Sequence, residues 1–123
     1  MPSIQEHVAK AKHNEQFLEQ LPKISTQFPD WLVVGAFYTA LHYVDACLAL
    51  RSLHPPTHHL RSGYVARIRD LRTIYPEYRT LEDTSRDARY THNPMTDQHV
   101  MSSLEISRKI KQHILPLLPA NAI

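Results

Sequence analysis

Arg86, Asp87 and His92 stand together in the stretch Ser85-Arg86-Asp87-Ala88-Arg89-Tyr90-Thr91-His92. A guanidinium can hold a phosphate through two parallel hydrogen bonds. An imidazole titrates near pH 6.5 and can give or take a proton beside that phosphate. Chemistry at a phosphate needs its charge stabilised and protons moved at the attacking and leaving oxygens. Arg86 and His92 are therefore the candidate catalytic pair, Arg86 as clamp and His92 as acid or base. Arg89 and Tyr90 are placed to orient a substrate, and Asp87 to orient the histidine or the arginine. Arg72 and Arg79, from the same arginine-rich stretch, are further candidate substrate contacts. This chemistry asks for no metal and no cofactor.

Charge is distributed to the same end. The net charge is only +2, yet eight of the nine arginines fall between Arg51 and Arg89, while all five lysines lie in the flanks. An arginine-only middle fits a phosphate-bearing partner. The competing reading is a solvated helix face paired with Asp70, Glu77, Glu82, Asp83 and Asp87. Nine histidines also raise metal binding, with His42 and Asp45 on one helix and His58 and His59 in a loop as the donors to consider. A hydrogen-bonded core role for His42 and a capping-loop role for the other two compete with it. The single cysteine, Cys47, cannot close an internal disulfide and reads as a small buried apolar residue. No apolar run is read as reaching membrane-spanning length and no signal-peptide core is seen, so a cytoplasmic protein without membrane contact is expected.

The elements that must position these groups are helices. With 123 residues the chain reads as one domain, 1–123. Only two glycines and nine prolines bunched at segment ends argue against a many-turned β protein. A first helix spans about Ile4 to Leu21, with Ser3 and Glu6 as a capping box and Ile4, Val8, Ala11, Leu18 and Leu21 on one side. A second runs from about Asp30, read as its N-cap, to Leu53. It carries the core stripe Val34, Phe37, Leu41, Val44, Leu48 and a second stripe Tyr38, His42, Asp45, Ala49 that could serve a partner subunit. A third starts after Thr57 with Leu60, Tyr64, Ile68 and Leu71 inward and Arg61, Arg69 and Arg72 together on another side. A kink at Pro76 and a further helical stretch to about Tyr90 follow. The last starts near Thr96 and carries Val100, Leu104, Ser107, Ile110, Ile114 and Leu117 on one face. The expected fold is all-α, an antiparallel up-and-down bundle of four to five helices. On such a helix six residues advance about 240° past the start, so Arg86 and His92 converge only if the helix ends near Tyr90 or if two subunits share the site.

The second helix, Asp30 to Leu50 with Phe37-Tyr38 and His42, resembles the aromatic-aromatic-small-x-x-His helix of HEPN domains. Pro56-Thr57-His58-His59 is similar to the loop that follows it, and Arg86 to His92 to the family's Arg-polar-x(3–5)-His motif. The resemblance covers most of the chain, from about Phe17 to Ile114. It implies a HEPN-like homodimer, with the motif residues of two subunits meeting as a metal-independent endoribonuclease, often in toxin–antitoxin or defence systems. RNA and an antitoxin protein would then be the partners. Ala88-Arg89-Tyr90 also matches non-nuclease relatives, which implies the alternative of a non-catalytic interaction or regulatory module binding a protein or nucleic acid.

Overall fold

Ser3 opens the first helix as its side chain dictates: its hydroxyl accepts from the Glu6 amide, and the Glu6 carboxylate accepts from the Ser3 amide. The structure is a computed structural model that describes residues 1–24 and 26–123. Helix α1 spans Ile4–Glu19, α2 Pro29–Ala49, α3 His58–Arg67, α4 Arg69–Arg72, α5 Tyr75–Tyr90 and α6 Asp97–Ile114. Two short 3₁₀ turns, Leu115–Leu117 and Ala120–Ala122, close the chain, and there is no strand among the described residues. The all-α expectation holds.

Helix α2 is the centre, packed by α1, α5 and α6. Its burial exceeds the stripe read from the sequence. Phe37, Leu41, Val44 and Leu48 are buried as expected and Val34 only partly, while Leu32, Val33, Ala36, Ala40, Tyr43 and Cys47 are buried as well. Successive residues turn by about 100°, so these positions surround the helix. Contrary to the expectation from sequence, this helix of 21 residues is long and apolar enough to cross a membrane. Yet 72% of that apolar window is buried inside the fold, so its apolar surface is already covered by its neighbours.

Three boundaries differ from expectation, each for a local reason. Phe28, not Asp30, is the N-cap of α2, and it offers no side-chain cap; Pro29 and Asp30 lie in the first turn, where a missing amide and a negative charge are tolerated. The third segment is interrupted at Ile68, which is extended (φ −74°, ψ 127°), and not kinked at Pro76. Pro76 sits instead in the first turn of α5. After the break, Leu71 and Ile74 turn into the core, while Arg69 and Arg72 are left on the surface. Leu60, expected inside, is exposed, and Arg61 and Val65 are buried in its place.

Polar ties fix the layers. Tyr43 donates to Glu15 (2.6 Å), which also receives Lys111 from α6 (2.7 Å). His113 donates from Nε2 to the Asp70 carbonyl (2.6 Å) and holds α6 against α4. At the α1–α2 crossing, a Cβ on Gly35 would stand 2.7 Å from Leu18 Cδ2, so the glycine permits the approach.

Candidate functional site

Arg61 is drawn inward by Asp45. The α3 N-cap Thr57 accepts from the Leu60 amide at 3.1 Å and sets the first turn of α3, which carries His58 and Arg61. Arg61 Nε donates to Asp45 Oδ1 (2.7 Å) and Nη2 to Oδ2 (3.2 Å), a two-pronged pair with both side chains about nine-tenths buried. Arg61 Nη2 also reaches the Pro55 carbonyl (3.4 Å), and Nη1 faces His58 Nδ1 at 3.3 Å. A guanidinium only donates, so His58 Nδ1 is the acceptor and Nε2 carries the proton. The sequence reading had grouped Arg61 with Arg69 and Arg72 on one side; burial separates them.

Around this pair lies a cation with aromatic walls. The His58 ring packs on Phe37 and Tyr38 (centroids 5.7 and 6.1 Å). Arg89, from the last turn of α5, donates to the Tyr38 hydroxyl (2.9 Å) and the Ser85 carbonyl (3.3 Å). Its guanidinium sits over Phe37, Tyr38 and Tyr90 at 5.8, 5.6 and 5.0 Å. Among the described residues no carboxylate pairs with Arg89. Burial pushes the His58 imidazole below its ordinary range, and the charges of Arg61, Arg89 and Arg86 push it the same way. His58 is thus a neutral hydrogen-bond donor next to two or three arginines. The arrangement can hold an anion and stack a ring beside it.

The other motif residues divide. Arg86 is half exposed and turns back along α5 toward Asp83 (3.5 Å) and Glu82 (4.0 Å). Glu82 is buried, its carboxyl raised by burial against the pull of Arg79 and Arg86. Arg79 donates to it at 2.8 Å and lines a cavity of about 340 Å³ with His59, Arg67 and Tyr75. Arg72 is exposed on α4, and the Asp87 carboxylate is exposed at the outer face of α5. Helix α5 runs unbroken to Tyr90, Thr91 caps it, and His92 lies exposed beyond. Among the described residues no hydrogen bond, ion pair or ring contact joins Arg86 to His92. Within the chain Arg89, Tyr90, Tyr38 and His58 come together, and Arg86 and His92 do not.

No family model, curated protein or solved structure matches this chain.

Two further features border the site. A groove of about 360 Å³ runs between α1 and α2, lined by Lys10, Asn14, Phe17, Trp31, Val34, Gly35, Tyr38 and His42. Phe17 and Trp31 are 52% and 58% exposed, so a large apolar surface faces outward next to Tyr38. On the other side of Asp45, donor atoms of His7, His42 and Asp45 lie within 4.8 Å of one another. Burial lowers both imidazoles, with Asp45 opposing the shift. The sequence reading named His42 and Asp45 as metal donors to consider but missed His7, because its contact with them crosses from α1 to α2. The His58–Arg61–Asp45 chain was equally invisible: only the breadth of α2 burial, which places Asp45 inside, would have signalled that an arginine must follow it.

Proposed function

We propose that this protein is a HEPN-like RNA-binding domain whose phosphate-binding edge is the Arg89 end of α5. The observation that carries the reading is the Arg89 guanidinium, free of any carboxylate among the described residues and walled by Phe37, Tyr38 and Tyr90. Six other arginines are tied to acidic side chains: Arg51 and Arg69 to Asp70, Arg61 to Asp45, Arg79 to Glu82, Arg86 to Asp83 and Arg108 to Glu105. Of the arginines left without a carboxylate among the described residues, Arg67 sits over one ring, Tyr64, whereas Arg89 has three. Tyr90, 74% exposed beside Arg89, supplies a face on which a base can stack. His58 Nε2–H is a further donor for a phosphate.

Cleavage is a second step and needs a second copy. Within one subunit Arg86 and His92 are not joined, so a metal-independent endoribonuclease of the toxin–antitoxin or defence type would draw them from two chains of a homodimer. The apolar groove beside Tyr38 is the face such a dimer would cover, and its Tyr38 wall is the residue that accepts from Arg89. A protein partner of the antitoxin kind would compete for the same surface. A non-catalytic binding module keeps the Arg89 site and lacks only this pairing.

The binding reading is tested by fluorescence anisotropy with single-stranded RNA over a salt series. Arg89→Ala is expected to weaken binding about tenfold or more and to reduce the salt slope by roughly 0.7, the loss of one phosphate contact on a single strand. Equal affinity and slope for R89A and the parent protein would refute it.

A further inference from the structure

We infer that His7, His42 and Asp45 form a binding site for one transition-metal dication of the zinc type. The three donors come from two helices: His42 and Asp45 are one turn apart on α2, and His7 packs across from α1, its ring 5.8 Å from that of His42. Their ligating atoms already lie within 4.8 Å of one another. Around a tetrahedral ion with bonds of about 2.0–2.1 Å, ligand atoms stand roughly 3.3 Å apart, so small side-chain rotations close the set. Two imidazoles and a carboxylate suit zinc, cobalt and nickel better than calcium or magnesium.

Hydrogen bonding alone does not account for the cluster. Among the described residues neither histidine side chain makes a hydrogen bond, and the Nδ1 atom of His42 is buried with no partner. An unpartnered buried nitrogen beside a second imidazole and a carboxylate is a cost that an ion removes. Asp45 is meanwhile held by Arg61 through both oxygens, each with a lone pair left over. Such an outer partner fixes the orientation of a ligating carboxylate. The fourth position has room, since His7 and Asp45 line a cavity of about 280 Å³ whose wall also includes His54. A water or the His54 imidazole could fill it. The site shares Asp45 with the Arg61–His58 chain that reaches the Arg89 edge, but it does not rest on the RNA reading.

The test is a titration of the chelator-stripped full chain with Co²⁺, then with Zn²⁺ in competition. One equivalent of Co²⁺ with the intense visible bands of a tetrahedral ion, displaced by Zn²⁺, is expected. His42→Gln and His7→Gln are each expected to weaken binding at least tenfold, whereas His13→Gln, an exposed histidine of the same helix as His7, is expected to leave it unchanged. Arg61→Lys, outside the ligand set, is expected to weaken binding less than either ligand change. Weak octahedral Co²⁺ bands in the parent protein, or equal Zn²⁺ affinity for the parent and H42Q proteins, would overturn the site. The parent spectrum decides even where a glutamine variant folds poorly.

Discussion

At the scale of single residues, burial decides what each charged group can do. Asp45 and Arg61 are a buried pair, and removing one partner strands the other. Asp45→Ala is therefore expected to cost about 3–5 kcal/mol of stability, read from urea unfolding. The double change D45L/R61M is expected to recover most of it, because an apolar pair leaves no charge unpaired. His58 gives a pH signature. Its folded-state value lies below the ordinary 6.5 of an exposed histidine, through burial and the charges of Arg61, Arg89 and Arg86, with Asp45 opposing. Between the two values the unfolded chain binds more protons, so His58 contributes stability above about pH 6.5 that is lost as pH falls toward the folded value. The drop in urea midpoint from pH 7.5 to 5.5 is expected to be smaller in His58→Gln than in the parent; an identical drop would remove His58 as a contributor. Of these residues the sequence showed the chemistry but not the partners. Arg86 and His92 stood out because they are close along the chain, whereas Arg89 meets Tyr38 across 51 positions and Arg61 meets Asp45 across 16.

At the scale of elements, termini were legible where a side chain states them. Ser3, Thr57 and Thr96 each cap the helix they were expected to open, since a hydroxyl satisfies an otherwise unpaired amide. The start of α2 was misplaced by one turn-residue choice, Asp30 for Phe28, because no side chain caps it there. The break at Ile68 carries no glycine or proline, so nothing local marks it; the pull of Leu71 and Ile74 into the core is a tertiary effect. The end of α2 holds a further consequence. Ser52 follows it with φ 59°, the left-handed region, and the Leu53 amide closes back on the Leu48 carbonyl at 2.9 Å. A serine there carries the steric cost of its Cβ, which glycine avoids. Ser52→Gly is expected to stabilise the protein by about 0.5–1 kcal/mol in urea unfolding, whereas Ser52→Val is expected to destabilise it. Thr57→Ala is expected to cost about 1 kcal/mol as a lost cap, and to weaken RNA binding with it, since Thr57 sets the turn that carries His58.

At the scale of the whole molecule, the apolar groove of α1 and α2 would link the proposed assembly to the proposed chemistry. A helical protein of 14.3 kDa that leaves Phe17, Phe28 and Trp31 more than half exposed carries surface typical of an association face. Trp31→Glu, which puts a charge on that face and touches no buried core residue's identity, is expected to shift a dimer to the chain mass in light scattering with helical circular dichroism retained. The composite site then makes a sharper demand. If Arg86 of one chain serves His92 of the other, Arg86→Ala and His92→Ala proteins are each inactive, yet a mixed dimer of the two keeps one intact site: the H92A chain brings its arginine and the R86A chain its histidine. Mixing and re-equilibrating the two is expected to restore cleavage of single-stranded RNA, with chelator present, to roughly a quarter of the parent rate: half of the randomly paired dimers are mixed, and each has one of two sites. Separate subunits, or a site built within one chain, would give no restoration at any mixing ratio. The Trp31→Glu change, made in both chains, is expected to abolish the restored rate while leaving the Arg89-dependent binding of each chain in place, because the proposed binding site lies within a chain and the proposed cleavage site between two.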